Sequence, residues 1–177
     1  MTTLTQNLHF YGMAAMLALR DRIRPRRELL AEAKVQPGET VLDFGCGPGG
    51  YIAETSRLVG PKGQLLAIDR QTPALDCVRR ISRRQGLRNV RAIQATDARD
   101  LADDSVDLVL LHDVFHLLSD PNGVLRDLAR VLKPRGRLSV TDPHWPDERV
   151  IEGITGSGLF VLSERGALTL TFCIAAR

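Results

Sequence analysis

Cysteine is scarce: Cys46, Cys77 and Cys173 are the only three in 177 residues, and no CxxC pair occurs. Odd in number and scattered, they lay out neither a disulfide framework nor a zinc site, and a reducing cytoplasm is the compartment that suits them. Long apolar runs are lacking too. No segment approaches the roughly 20 apolar residues of a membrane span. The short run GMAAMLAL at 12–19 carries its positive charge behind it, the reverse of a secretory leader. Nor does one sign of charge dominate, since 24 Lys and Arg against 21 Asp and Glu leave +3. The clusters RDRIRPRR at 20–27 and RRISRRQGLR at 79–88 would suit phosphate-bearing partners, but Asp21, Glu28 and Glu32 interleave the first as on a solvated helix face. The expectation is a soluble cytoplasmic protein that does not bind nucleic acid.

What is present is ordinary globular material, 44% hydrophobic and 25% charged, in a length that makes one domain with a sizeable core. Met13, Met16, Leu17, Leu29, Leu30 and Ala33 recur at near-helical spacing, and Pro25 divides them into two short helices within 12–34. From there strands and helices alternate. TVLDF at 40–44, QLLAID at 64–69, NVRAIQA at 89–95, VDLVLL at 106–111 and RLSVTD at 137–142 read as strands, with helices over 50–59, 73–85 and 121–132 between them. KPRG at 133–136 reads as the stop of the last of these helices. Such alternation predicts an α/β fold, a doubly wound and mostly parallel sheet with right-handed crossovers. A short helix near 146–154 and the runs either side of SERG at 163–166 add a C-terminal antiparallel hairpin. Residues 1–35 form an N-terminal helical segment and 36–177 the main domain.

The densest signal is VLDFGCGPGG at 41–50, a buried strand running into a glycine turn. In a doubly wound sheet the first strand-to-helix turn lies closest to a bound ligand, and glycines there remove side chains that would block it. Gly45, Gly47 and Gly50 also satisfy GxGxxG, so a dinucleotide fingerprint is formally present. Asp43 weighs against it, because a carboxylate at the strand tip repels a pyrophosphate and attracts a cation. Asp69, ending the second strand, suits a ribose diol, and Asp97 after the third suits an exocyclic amine. The set fits a nucleoside with a cationic arm.

VLDFGCGPG at 41–49, AID at 67–69, ATDA at 95–98, VDLVLLHDVFHLL at 106–118 and VLKPRGRL at 131–138 resemble, in this order, the motifs of class I S-adenosylmethionine-dependent methyltransferases. The resemblance covers about residues 36–142 and lies on the small-molecule side, which includes quinone-biosynthesis methyltransferases. It implies a Rossmann-like sheet of seven strands, S-adenosylmethionine as cofactor and S-adenosylhomocysteine as product. It also implies that Asp43, Gly45, Gly47 and Gly49 line the methionyl end, with Cys46 a packing residue inside the motif. Asp69 with Arg70 would meet the ribose, and Thr96, Asp97 and Ala98 the adenine. Two alternatives stay open: a catalytically silent cofactor-binding module, acting as a sensor or partner subunit, and an NAD-dependent oxidoreductase, against which Asp43 and the hairpin argue.

The acceptor side is expected after the fourth and fifth strands. His112 is the first candidate for touching cofactor or acceptor, with Asp113 and His116 next, since a histidine titrating near neutrality serves as a general base. No metal is expected, because no cysteine or carboxylate pattern completes a set of His112, His116 and His144. Trp145 suits either stacking on an aromatic acceptor or plugging the sheet edge. The fourth strand lacks the Asn/Asp-Pro-Pro-aromatic run that would resemble enzymes methylating amino groups of nucleic-acid bases. The resemblance to the small-molecule branch implies a small or lipophilic acceptor. Only 16 residues, 143–158, separate the fifth strand from the hairpin, too few for a lid. Closure then falls to the N-terminal helices with His9, Phe10 and Tyr11, or to a second subunit in a homodimer, or the pocket stays open. The apolar face of 12–23 also suits a membrane surface.

Overall fold

A computed structural model describes residues 26–175. The expected helix over 12–23, with His9, Phe10 and Tyr11, lies outside the described residues. The elements run α1 (Arg26–Glu32), β1 (Thr40–Phe44), α2 (Ile52–Val59), β2 (Gln64–Asp69), α3 (Thr72–Gln85), β3 (Val90–Gln94) and β4 (Val106–His112). A short 3-10 turn at Phe115–Leu117 leads to α4 (Pro121–Val131), β5 (Leu132–Thr141), α5 (Asp147–Thr155), β6 (Phe160–Arg165) and β7 (Leu170–Ile174). One sheet of seven strands takes the order β3-β2-β1-β4-β5-β7-β6. β7 pairs antiparallel with both β5 and β6, and the pairs among β1 to β5 are parallel.

Side chains alternate across a strand, and the sheet has a core on each face as a result. Leu42, Phe44, Leu66, Ile68, Val109 and Leu111 point to one side, where α4 and α5 cover them with Leu125, Leu128, Val150 and Ile154. Val41, Leu65, Ala67, Leu108 and Leu110 point to the other, against Leu30 of α1, Ile52 of α2, and Leu75 and Val78 of α3. Each Val, Leu, Ile or Phe among them, fully buried, contributes about 1.5–3 kcal/mol. Local chemistry sets the helix ends. Gly86 stops α3 with φ 64°, and the Asp120 carboxylate accepts from Gly123 N to cap α4.

One expectation fails. KPRG does not merely stop α4, because β5 begins at Leu132 and carries 133–136 as a bulge: Val106 pairs with Leu132, yet Leu108 pairs with Arg137. The bulge sends Lys133 Nζ to both oxygens of Asp107, 2.8 Å away, and Asp107 also accepts from Thr40 N. Among the described residues no helix is long and apolar enough to cross a membrane.

The strand order reverses between β1 and β4, and the carboxyl ends of β1, β2, β3 and β4 open on one edge there. α1 reaches the same edge from outside the alternation. Its Glu32 carboxylate accepts from Leu168 N, Thr169 N and Thr169 Oγ1 in the β6–β7 turn, and Arg137 of β5 binds Ala33 O and Glu39. Those bonds hold α1 against the sheet with Arg26 at the edge.

Candidate active site

A cavity of about 790 Å³ occupies that edge, a size typical of small-molecule sites. Its floor is the turn after β1. Gly45 N and Cys46 N donate to Ile68 O, which folds the turn over β2. At Gly45, φ is 75° and an added Cβ would lie 2.6 Å from Val114 Cγ2, so the chain after β4 sits on bare backbone. Gly47 has open space where a side chain would be, and it lines the cavity. Gly49 does neither: its missing Cβ lets Ile81 and Val78 of α3 approach Ile52 of α2, and it is absent from the cavity wall.

Charge concentrates on this floor. Asp43 is 2% exposed, and its Oδ2 has no hydrogen-bond partner among the described residues. Burial pushes its pKa up to about 7, against the opposing pull of Arg26 and with a further push from Asp69. Arg26 itself lies over the Tyr51 ring, 5.4 Å from its centroid. Asp69 is locked: Oδ2 accepts from Gly47 N at 2.9 Å and Oδ1 from Gln71 N at 2.8 Å. Each oxygen keeps a second lone pair. Asp97 accepts from Arg99 Nη2 at 2.6 Å and from Arg99 N at 3.1 Å, and this partner holds its carboxyl below the usual range. Arg70 and Thr96 line the cavity as exposed side chains, whereas Ala98 is buried in the core. Burial raises the Cys46 thiol, as befits packing rather than nucleophilic chemistry.

The far wall comes from β4, β5 and the loops after them. His112 is buried, with Nε2 3.1 Å from Ser139 Oγ, and it meets Tyr51 edge-on at 5.1 Å. Burial lowers its pKa to about 3, so the ring is neutral throughout the physiological range, and the expected base near neutrality is not at this position. His116 is placed differently. Asp142 Oδ2 receives both His116 N and His116 Nδ1 at 2.9 Å, while Asp142 Oδ1 receives His144 N at 3.2 Å. The His116 and His144 rings lie 4.1 Å apart, and His144 Nε2 is 3.3 Å from Asp113 Oδ1. Leu117, Leu118 and Val124 add apolar wall beside these polar groups.

A family model described as a methyltransferase domain matches residues 35–158. The chain belongs to that family. It is 32% identical over 146 residues to the ubiquinone/menaquinone biosynthesis C-methyltransferase UbiE of Shewanella frigidimarina, with 81% of this chain and 58% of that protein covered. Identity to the demethylmenaquinone methyltransferase of Lactobacillus johnsonii is 27% over 146 residues, covering 81% and 60%. The chain thus spans less than two thirds of the length of these curated relatives. A solved SAM-dependent methyltransferase from Aquifex aeolicus is 27% identical, covers 88% of this chain and 90% of that one, and superposes with a TM-score of 0.76.

Within this methyltransferase domain, Asp43, Gly45, Cys46, Gly47, Asp69, Arg70, Thr96, Asp97, His112, Asp113 and His116 are brought together on the cavity wall. Gly49 and Ala98 do not. Trp145 takes the packing role, edge-on to Phe115 at 5.7 Å and under Arg149, away from the cavity. Sequence reasoning missed Arg26 and Tyr51 on the floor and the part played by Asp142 behind His116. Only Asp142 carried a signal, as a carboxylate following the fifth strand.

Proposed function

We propose that this domain is an S-adenosylmethionine-dependent methyltransferase acting on a small or lipophilic acceptor, with hydroxylated quinone-type aromatics the favoured class. The observation that carries the reading is the buried Asp43 oxygen without a partner, beside the open face of Gly47 and in one cavity with Asp69 at the end of β2 and Asp97 in the loop after β3. That set of acceptors fits the cofactor: a cationic end for Asp43, a ribose diol for the spare lone pairs of Asp69, an adenine amine for Asp97. When bound, S-adenosylmethionine supplies a methyl group on a sulfonium already activated for displacement.

The chain's own task is then to position and to exclude water. Asp43 neutralises the cationic end, and a ligand charge at that spot draws its carboxyl back to the ionised form. Tyr51 and neutral His112 wall the middle of the cavity and add no charge of their own to that of Arg26. Leu117, Leu118 and Val124 offer apolar surface to an acceptor ring, and the quinone-methyltransferase relatives support an aromatic one. Asp142 holds His116 in the tautomer with the proton on Nδ1, which leaves a lone pair on Nε2.

A silent binding module is the second reading. It is favoured by α5, whose Val150 and Ile154 are spent on the core, so that this connection forms no lid. Calorimetric titration with S-adenosylmethionine and S-adenosylhomocysteine, with NAD in parallel, separates the readings from the oxidoreductase. Saturable binding of the first pair, lost in Asp69→Ala, is expected; binding of NAD alone overturns the proposal. Turnover with a panel of hydroxylated naphthalenes then decides between enzyme and silent module.

A further inference from the structure

Asp113, His116 and His144 come from three separate places: the left-handed residue after β4, the 3-10 turn, and the loop after β5. They offer one ligand atom each within 4.8 Å of one another, and all three line the cavity. From this juxtaposition we infer that the methyltransferase domain carries a divalent transition-metal site, of zinc type, at the acceptor end of its cavity.

The geometry suits an ion more closely than it suits an isolated ion pair. Ligands about 2.1 Å from a metal stand about 3.0–3.4 Å from each other in tetrahedral or octahedral arrangement. Asp113 Oδ1 and His144 Nε2 are already 3.3 Å apart. Two imidazoles with one carboxylate leave coordination positions open, and such a set prefers zinc, iron or nickel over magnesium or calcium, which take oxygen ligands. Behind the set stands the support that metal histidines ordinarily have. Asp142, with its side chain fully buried, accepts from His116 Nδ1, so Nε2 is the coordinating atom, and through His144 N it also fixes the backbone of the second histidine. Asp113 is held with φ 62° by Asp113 N donating to Thr141 O at 2.7 Å, and its carboxylate lines the cavity beside His144. His144, 56% exposed, is the most accessible of the three.

The open positions face the space that the proposed acceptor would fill. An ion there would take the hydroxyl oxygen of a hydroxylated aromatic and lower its pKa, so that the proton leaves to water and the oxygen stays as a metal-bound anion. This second half rests on the methyltransferase reading; the binding of the ion does not.

The protein, stripped with chelator and dialysed, would be titrated with Co²⁺, following the visible d–d absorption, and with Zn²⁺ by calorimetry. Saturation at one equivalent is expected, with at least tenfold weaker binding in His144→Ala and in Asp113→Ala. Asp142→Asn, which removes no ligand, should weaken binding by about 10- to 100-fold. The unfolding midpoint of each metal-free variant checks that it folds, and exposed His144 makes that variant the safest. No stoichiometric Co²⁺ spectrum, or unchanged affinity in His144→Ala, overturns the site. S-adenosylmethionine titrated into wild type and Asp69→Ala keeps the two readings apart: metal bound without the cofactor sinks only the methyltransferase, and the reverse sinks only the metal. 4-Nitrocatechol tests the acceptor half, since its ionisation shifts its absorption. A shift that requires metal and is lost in His144→Ala supports it, and metal binding without a shift overturns it.

Discussion

The two ends of the cavity are built on different terms. The cofactor end stands on three consecutive parallel strands and a turn with no slack: Asp69 is tied to the backbone at both oxygens, and Gly45 lets Val114 rest on bare backbone. The acceptor end hangs on loops, with Leu117 60% exposed and one of its histidines more than half exposed. Rigid strands suit a ligand common to a whole family, and loops suit one that differs between members. A methyltransferase domain can therefore keep one half of its site and rewrite the other.

Substitutions can break this contrast. The largest effect is expected from Asp69→Ala, which removes both the proposed ribose acceptor and the anchor of the Gly47 turn. At least a 100-fold loss in S-adenosylmethionine affinity should follow, on the order of two charged hydrogen bonds, read by calorimetry. Acceptor KM is the wrong place to see it.

Next comes pH. The Asp43 carboxyl ionises near 3.8 when unfolded and near 7 in the fold, so between those values folding takes up a proton, and the ligand-free protein should lose stability as pH rises from about 4 towards 7. A cationic ligand favours the ionised form. Its affinity should therefore climb with pH up to about 7, by at most about tenfold per unit, and level off above, with proton release visible in buffers of different ionisation enthalpy. Asp43→Asn should flatten the profile at a low affinity; a wild-type profile flat from pH 5 to 8 would remove Asp43 from the cation's company.

Leu117→Ser tests the opposite end. Losing one exposed apolar contact should raise acceptor KM about fivefold while leaving the cofactor's affinity within error. Smallest of all should be Arg99→Ala: its pair with Asp97 is exposed, and such pairs are worth little, so cofactor affinity should move less than threefold. An equal fall in both affinities in either variant would deny that the two ends are separable.

The same contrast governs what the sequence made legible. β1 and β2 are found at the residues expected, because buried parallel strands are continuous apolar runs closed by punctuation. The carboxylates at their tips followed from strand position alone. β5 misled, since Pro134 and Gly136 look like a terminator, and only Asp107 on the neighbouring strand shows why a bulge forms there. Gly49 looked like its neighbours in the motif until the side chains around it showed helix packing. Arg26 and the Asp142–His116 pair belong to contacts between distant segments, 17 positions from Asp43 in one case and 26 apart in the other, and no local pattern encodes them.

Glu32 gives the site an order in time. Its carboxylate is met by Leu168 and Thr169, residues added 136 and 137 positions later as the chain is made. Until that turn exists, α1 lacks its anchor on the hairpin and Arg26 lacks its fixed place beside Tyr51 and Asp43. The strands of the cofactor end can pair early, from near neighbours, but the charge that tempers Asp43 is set only when the last hairpin closes. The floor of the cavity is therefore finished only with the final strands, and a nascent chain holding β1 to β5 would display the glycine turn before Arg26 is anchored beside it.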